Sequence, residues 1–206
     1  MNHDFLEVSK MFSQLIRETQ SNPRNAFPEE TANKILQIIK YSEKNSSAVP
    51  IIDIAKSMGF FVNITDNLPN NDSGFIIISP ELKEHFYSNK GIVVSNKIKY
   101  GKARFVIAHE IGHYLFDFNE QTEAQFSHIF KEHYNKESQH DPNELRVNQF
   151  AACLLMPRSA FSESFEKLKS NPDLSLADII STLAEQFAVT PKAATARIQE
   201  LGLKVV

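Results

Sequence analysis

Apolar side chains return at helical intervals from the start of the chain: Phe5, Val8, Phe12, Leu15 and Ile16 fall along one side of a helix over Phe5 to Arg17. Two prolines and several polar residues in SNPRNAFPEE break that pattern. Ile35, Leu36, Ile38 and Ile39 mark a second helix, which fades into the polar run SEKNSSA, a linker candidate. Pro50 opens a third helix, PIIDIAKSMG, with Gly59 as its C-terminal stop. The spacing then changes. FFVNI, GFIII and GIVVS (Phe60 to Ile64, Gly74 to Ile78 and Gly91 to Ser95) are short, β-branched or aromatic, and bounded by Asn, Asp, Gly and Pro. Such runs predict three strands of a small sheet. From Tyr100 the pattern is helical again and stays so, with one polar interval from Asn119 to His140. No internal repeat interrupts this order, so the pattern predicts an α+β fold: helices, a small and mostly antiparallel sheet, then helices.

Composition narrows the class. A chain of 206 residues fits one domain of ordinary size and buries a large core without covalent staples. Its single cysteine, Cys153, has no intramolecular partner and reads as a small core residue, which fits a reducing compartment. The N-terminus MNHDFLEVSK lacks the unbroken apolar stretch of a signal peptide, and no run approaches the roughly 18 apolar residues of a membrane span. The expectation is a soluble, cytoplasmic protein. A net charge of -3, from 22 basic and 25 acidic residues, argues against a dedicated nucleic-acid binder, whose affinity comes largely from phosphate neutralisation.

The chemistry concentrates in RFVIAHEIGHYLF, starting at Arg104. His109 and His113 are one helical turn apart and project from the same face, so two imidazoles can reach one ion at about 2.0–2.1 Å. Glu110 follows the first histidine and is placed to act as a general base toward water rather than as a ligand, the HExxH arrangement. Phe105, Val106, Ile107, Ala108, Ile111 and Leu115 make this helix apolar, and a buried helix has no reason to carry two histidines and a glutamate unless they are paired or bound. Gly112 permits close approach of a strand or a second ligand helix. A catalytic zinc needs a third protein ligand and an open position. The candidates are His3, His85, His128, His133, His140 and the downstream carboxylates, of which Glu144 is the best placed. It sits near the start of a helix in DPNELRVNQFAACLLMP, opened by Pro142 and ended by Pro157, with Asn148 one turn on and able to orient the site. The expected fold therefore packs the sheet against the HExxH helix and a second ligand-bearing helix.

Together, RFVIAHEIGHYLF and ELRVNQFAACLLMP resemble the ImmA/IrrE family of zinc metallopeptidases, whose hallmark is RFxxAHExGHxxx followed by ExxxNxFAAxLLMP. The resemblance spans about Pro50 to Pro157 and, more loosely, the C-terminal helices. It implies that Glu144 is the third zinc ligand and that one Zn2+ is held per chain. It further implies a cytoplasmic endopeptidase acting on a regulatory protein, such as a helix-turn-helix repressor or an antitoxin. Two positions depart from the family pattern: Lys102 replaces the first residue of an Arg-x-Arg pair that keeps Arg104, and Val106 stands where a small hydroxyl is common. The interval from Asn119 to His140 is longer than usual. Residues 1–48 then form an N-terminal helical extension, 49–157 the metallopeptidase core and 158–206 a C-terminal helical segment packed on it. Tyr100, Tyr134, His133 and His140 are the candidate donors to an oxyanion.

Two other readings stay open. A partner-binding module with a retained zinc site would block a repressor without cutting it. A DNA-binding regulator would use residues 183–202, where Thr190 caps and Pro191 starts the second helix of a helix-turn-helix pattern. The exposed face expected there offers only Lys192, Thr195 and Arg197, opposed by Glu200, and packing is the simpler account.

Overall fold

The computed structural model describes residues 3–42, 48–68, 72–118, 129–130 and 141–204. Its first helix, α1 (His3–Ser21), buries Phe12, Leu15 and Ile16, and Gln20 Nε2 donates to the Tyr114 carbonyl oxygen at 2.7 Å. Helix α2 (Pro28–Ile38) begins with a proline, which needs no helical acceptor for a missing N–H, and carries Glu29 and Glu30 in the first turn where the helix dipole favours them. It turns Ala32, Ile35 and Leu36 inward. Residues 43–47 of the linker candidate lie outside the described residues. Helix α3 (Ile51–Ser57) follows and stops shortly before Gly59.

The sheet contains β1 (Phe61–Thr65), β2 (Gly74–Ile78), β3 (Lys90–Ser95) and β4 (Ile129–Phe130), in the order β1-β3-β2-β4. The β1/β3 pair is parallel, whereas β2/β3 and β2/β4 are antiparallel, so the sheet is mostly antiparallel as the sequence pattern predicts. Ile76, Ile78, Ile92 and Val94 share its inner face and are buried. The short helix α4 (Leu82–Phe86) and β4, whose two residues pair with Ile77 and Ile76, escape the sequence pattern.

Helix α5 (Tyr100–Phe116) runs through the centre, buried from Val106 to Phe116. Arg104 is buried too, and its Nη2 donates to the Val49 carbonyl oxygen at 2.6 Å, tying α5 to the start of α3. Arg104 is thus a clamp between the two elements. Helix α6 (Pro142–Leu155) lies against α5 at Gly112, where a β-carbon would come within 2.8 Å of Val147 Cγ1 and 3.0 Å of Phe150 Cδ1. Glycine lets the two helices approach this closely.

Three helices close the chain: α7 (Arg158–Lys169), α8 (Leu176–Gln186) and α9 (Pro191–Glu200). Thr190 caps α9 by accepting from the Ala193 amide at 3.1 Å, and Pro191 takes its first position, as expected. The expected exposure of Arg197 is corrected by the structure. Arg197 is 1% exposed, and it donates through Nε to the Met156 carbonyl oxygen at 3.1 Å and pairs through Nη1 with Glu200 at 2.8 Å. Buried apolar residues from Phe12 to Ile198 form one continuous core. Among the described residues no helix is long and apolar enough to cross a membrane.

Candidate metal centre

Helical geometry in α5 brings His109 and His113 side by side, with ring centroids 4.6 Å apart and Nε2 atoms 2.9 Å apart. Both rings are almost fully buried. Each Nδ1 is held from behind, His109 by Asn148 Oδ1 at 3.0 Å and His113 by Asp117 Oδ2 at 2.6 Å. Those oxygens only accept, so each Nδ1 carries the hydrogen and each Nε2 lone pair is left facing the common centre. Asn148 stands where the sequence places it, one turn beyond Glu144 on α6. Asp117 is not anticipated; its signal is the spacing of four from His113, which puts it on the same face at the end of α5.

The third group comes from the start of α6. Asp141 caps that helix by accepting from the Asn143 amide at 2.9 Å, and Pro142 occupies its first turn, which fixes Glu144 on a rigid mount. Glu144 Oε1 is 3.3 Å from His113 Nε2, and Oε2 is 3.5 Å from His109 Nε2. The three donor atoms lie within 4.8 Å of one another. A tetrahedral ion bound at about 2.0–2.1 Å holds its ligands about 3.4 Å apart. Separations of 2.9, 3.3 and 3.5 Å therefore suit one small ion, and two imidazole nitrogens with a carboxylate oxygen form a donor set that zinc accepts. The cluster could hold a metal ion.

Electrostatics favour a cation at this point. Burial is the largest single influence on His113 and opposes its charge. Hydrogen bonds to Asp117 and Glu144, with the nearby charges of Glu110 and Asp117, outweigh it and push the pKa up to about 10. Glu110 is 0% exposed, so its carboxylate acts at short range in a site from which bulk water is excluded.

The remaining candidates fall elsewhere. Tyr100 is 65% exposed on the first turn of α5, stacked toward Arg104 and about 13 Å along the helix from His109. His85 lies on α4 beside Phe86, and His3 starts α1. His128, His133, Tyr134 and His140 lie outside the described residues.

Among solved structures, a Mycobacterium tuberculosis transcriptional regulator superposes with a TM-score of 0.56 at 16% identity, covering 91% of this chain and 51% of that one. The likeness is one of fold, and the chain spans about half the length of that protein. No curated protein matches the sequence. A family model for the IrrE N-terminal-like domain matches residues 56–199, from within α3 to the last turn of α9, and so takes in the His109–His113–Glu144 cluster and the C-terminal helices together. The chain belongs to this family, Peptidase_M78.

Proposed function

We propose that the chain is a zinc-dependent endopeptidase that cuts a regulatory protein in the cytoplasm, a helix-turn-helix repressor or an antitoxin. The observation that carries this reading is the convergence of His109, His113 and Glu144, each braced by its helix, beside the fully buried Glu110. His109, His113 and Glu144 would hold one Zn2+, with Asn148 and Asp117 orienting the two imidazoles. When bound there, zinc supplies Lewis acidity that polarises a scissile carbonyl and makes water a better acid. Glu110 accepts a proton from the attacking water on a carboxylate oxygen and passes it to the departing amine nitrogen as the C–N bond breaks.

A site built only to hold structure would gain nothing from Glu110 and would be closed by a fourth protein ligand; among the described residues the cluster has three members. The structural neighbour is a transcriptional regulator, which supports a regulatory setting. DNA reading through residues 183–202 loses support from the burial of Arg197, which removes one of the few cations available to phosphate.

The test compares cells producing the wild-type chain with cells producing Glu110→Gln, by sequencing newly formed protein N-termini. A new terminus within a helix-turn-helix regulator or antitoxin is expected only with the wild type. Glu110→Gln should keep its fold and zinc, since the ligands are untouched, while cleavage falls by about 100-fold or more. Equal cleavage by the variant would refute the base assignment, and absence of cleavage by the wild type as well, with repressor bound by both proteins, would favour a non-proteolytic anti-repressor.

A further inference from the structure

Helices α5, α6 and α9 enclose a groove of about 780 Å³ for which the metal chemistry gives no use. Its walls are stripes at helical spacing: Phe105 from α5, Leu145 and Asn148 from α6, Ala193 and Ala196 from α9. Small residues on α9 leave the space open, and Leu145 is 55% exposed on its wall. The size falls within the range of sites that take an organic ligand or several side chains.

We propose that this groove seats the polypeptide substrate, through a segment that combines apolar side chains with an acidic one. The inference rests on the peptidase reading for what happens after binding, not for binding itself. Continuity with the metal centre is the first support. Asn148 lines the groove and also accepts from His109 Nδ1 at 3.0 Å, and Leu145 directly follows Glu144 on α6. A chain lying in the groove therefore reaches the back of the His109 ring and the helix that carries Glu144.

Hydrogen bonding is the second. Arg197 lines the groove and is 1% exposed; its Nε and Nη1 are engaged, but Nη2 is buried with no hydrogen-bond partner among the described residues. A buried guanidinium N–H demands an acceptor, and a peptide carbonyl or carboxylate oxygen supplies one. Charge is the third. Among the described lining residues Lys102, Lys192 and Arg197 are cationic and Glu200, paired with Arg197, is anionic, so an acidic residue on the ligand is complementary. Nucleic acid suits the groove poorly, because phosphate tracking needs a row of solvent-facing cations and the lining is largely apolar. An amphipathic segment laid into a groove between helices meets all three features.

The experiment uses the zinc-loaded full chain carrying Glu110→Gln, so that bound peptides survive, immobilised against a displayed pool of short random-sequence peptides. Ala196 is exposed on α9, so Ala196→Trp fills the groove without disturbing the core, which a melting curve verifies. Recovered peptides are expected to be enriched in Leu, Ile, Val or Phe together with Asp or Glu. Recovery should fall about tenfold with Ala196→Trp, and Lys192→Glu should turn the acidic preference into a basic one. Unchanged recovery and composition in both variants overturns the proposal, as does enrichment of polar or basic peptides by the parent protein. If Ala196→Trp alters only the sedimentation of the protein by itself, the occupant is a second copy. If Lys192→Glu abolishes only a salt-sensitive shift of duplex DNA, it is nucleic acid. Either result also overturns the proposal. Restoring Glu110 and testing hydrolysis of the selected peptides separates the two readings: bound but uncut peptides sink the peptidase and leave the groove assignment standing.

Discussion

At His113 a proton and a metal ion would compete for the same nitrogen. Burial opposes its charge, but Asp117, Glu144 and Glu110 together raise its pKa from 6.5 to about 10. A raised folded-state value means that the protonated ring stabilises the metal-stripped protein fully below the unfolded value of about 6.5. That contribution is lost as pH climbs through about 10. Zinc must displace this proton to bind, so the extra stability it confers should grow as pH rises from about 6 to about 9. Melting temperatures measured with zinc and with chelator across that range check this, and a zinc increment independent of pH would count against ligation by His113. The short bond from His113 Nδ1 to Asp117 makes a second prediction at the same scale. Asp117→Asn keeps a hydrogen-bond acceptor but removes its charge, which should weaken zinc binding by about 10- to 100-fold while leaving the fold intact. Competition with a zinc-sensitive dye reads the affinity; wild-type affinity in the variant would make Asp117 incidental to the site.

At the level of elements, the ligand set depends on how closely α5 and α6 pack. Gly112→Ala would set a β-carbon 2.8 Å from Val147 Cγ1 and 3.0 Å from Phe150 Cδ1, both side chains being fully buried. Overpacking of this kind costs about 1–3 kcal/mol, against which alanine's better helix propensity returns about 1 kcal/mol. The net expectation is a loss of about 1 kcal/mol together with weaker zinc retention, because Glu144 rides on the helix that is pushed away. Denaturant unfolding with and without chelator measures both, and an unchanged midpoint would show that the helices have slack. These two helices are legible in the sequence because their apolar runs, their prolines and the spacing of their polar residues agree with one another. Partners supplied from far along the chain are not. Arg197 follows Lys192 and Thr195 in a stretch that reads as surface, but the Met156 carbonyl at the end of α6 draws it inward. Asp117 ends an apolar helix and looks like a solvated terminus until His113 is seen to donate to it. Strand β4 is two residues inside a polar interval, too short for a period to register, and it exists through pairing with β2.

For the molecule as a whole, residues 158–206 are either an attachment or part of the body that carries the His109–His113–Glu144 cluster. Sequence alone divides the chain at 157, but the continuous core runs through Phe161, Phe165, Leu183 and Phe187, all fully buried. A β-carbon on Gly101 in the first turn of α5 would come within 2.6 Å of the Val189 carbonyl carbon, so the turn before α9 sits directly on the helix that carries His109 and His113. Met156, 0% exposed, gives its carbonyl oxygen to Arg197. Burying each of those large side chains contributes about 1.5–3 kcal/mol, and a whole domain is stable by only about 5–15 kcal/mol. A chain ending at residue 157 would lose several such terms while exposing the face they covered. We expect it to show neither a cooperative melting transition nor stoichiometric zinc, whereas the full chain should melt in one transition that zinc raises and chelator lowers. Circular dichroism melts with elemental analysis of both proteins decide the matter. A cooperatively folded, zinc-bound fragment 1–157, or two separate transitions in the full chain, would make the C-terminal helices an independent unit. The family module would then be a composite, not a single folding body.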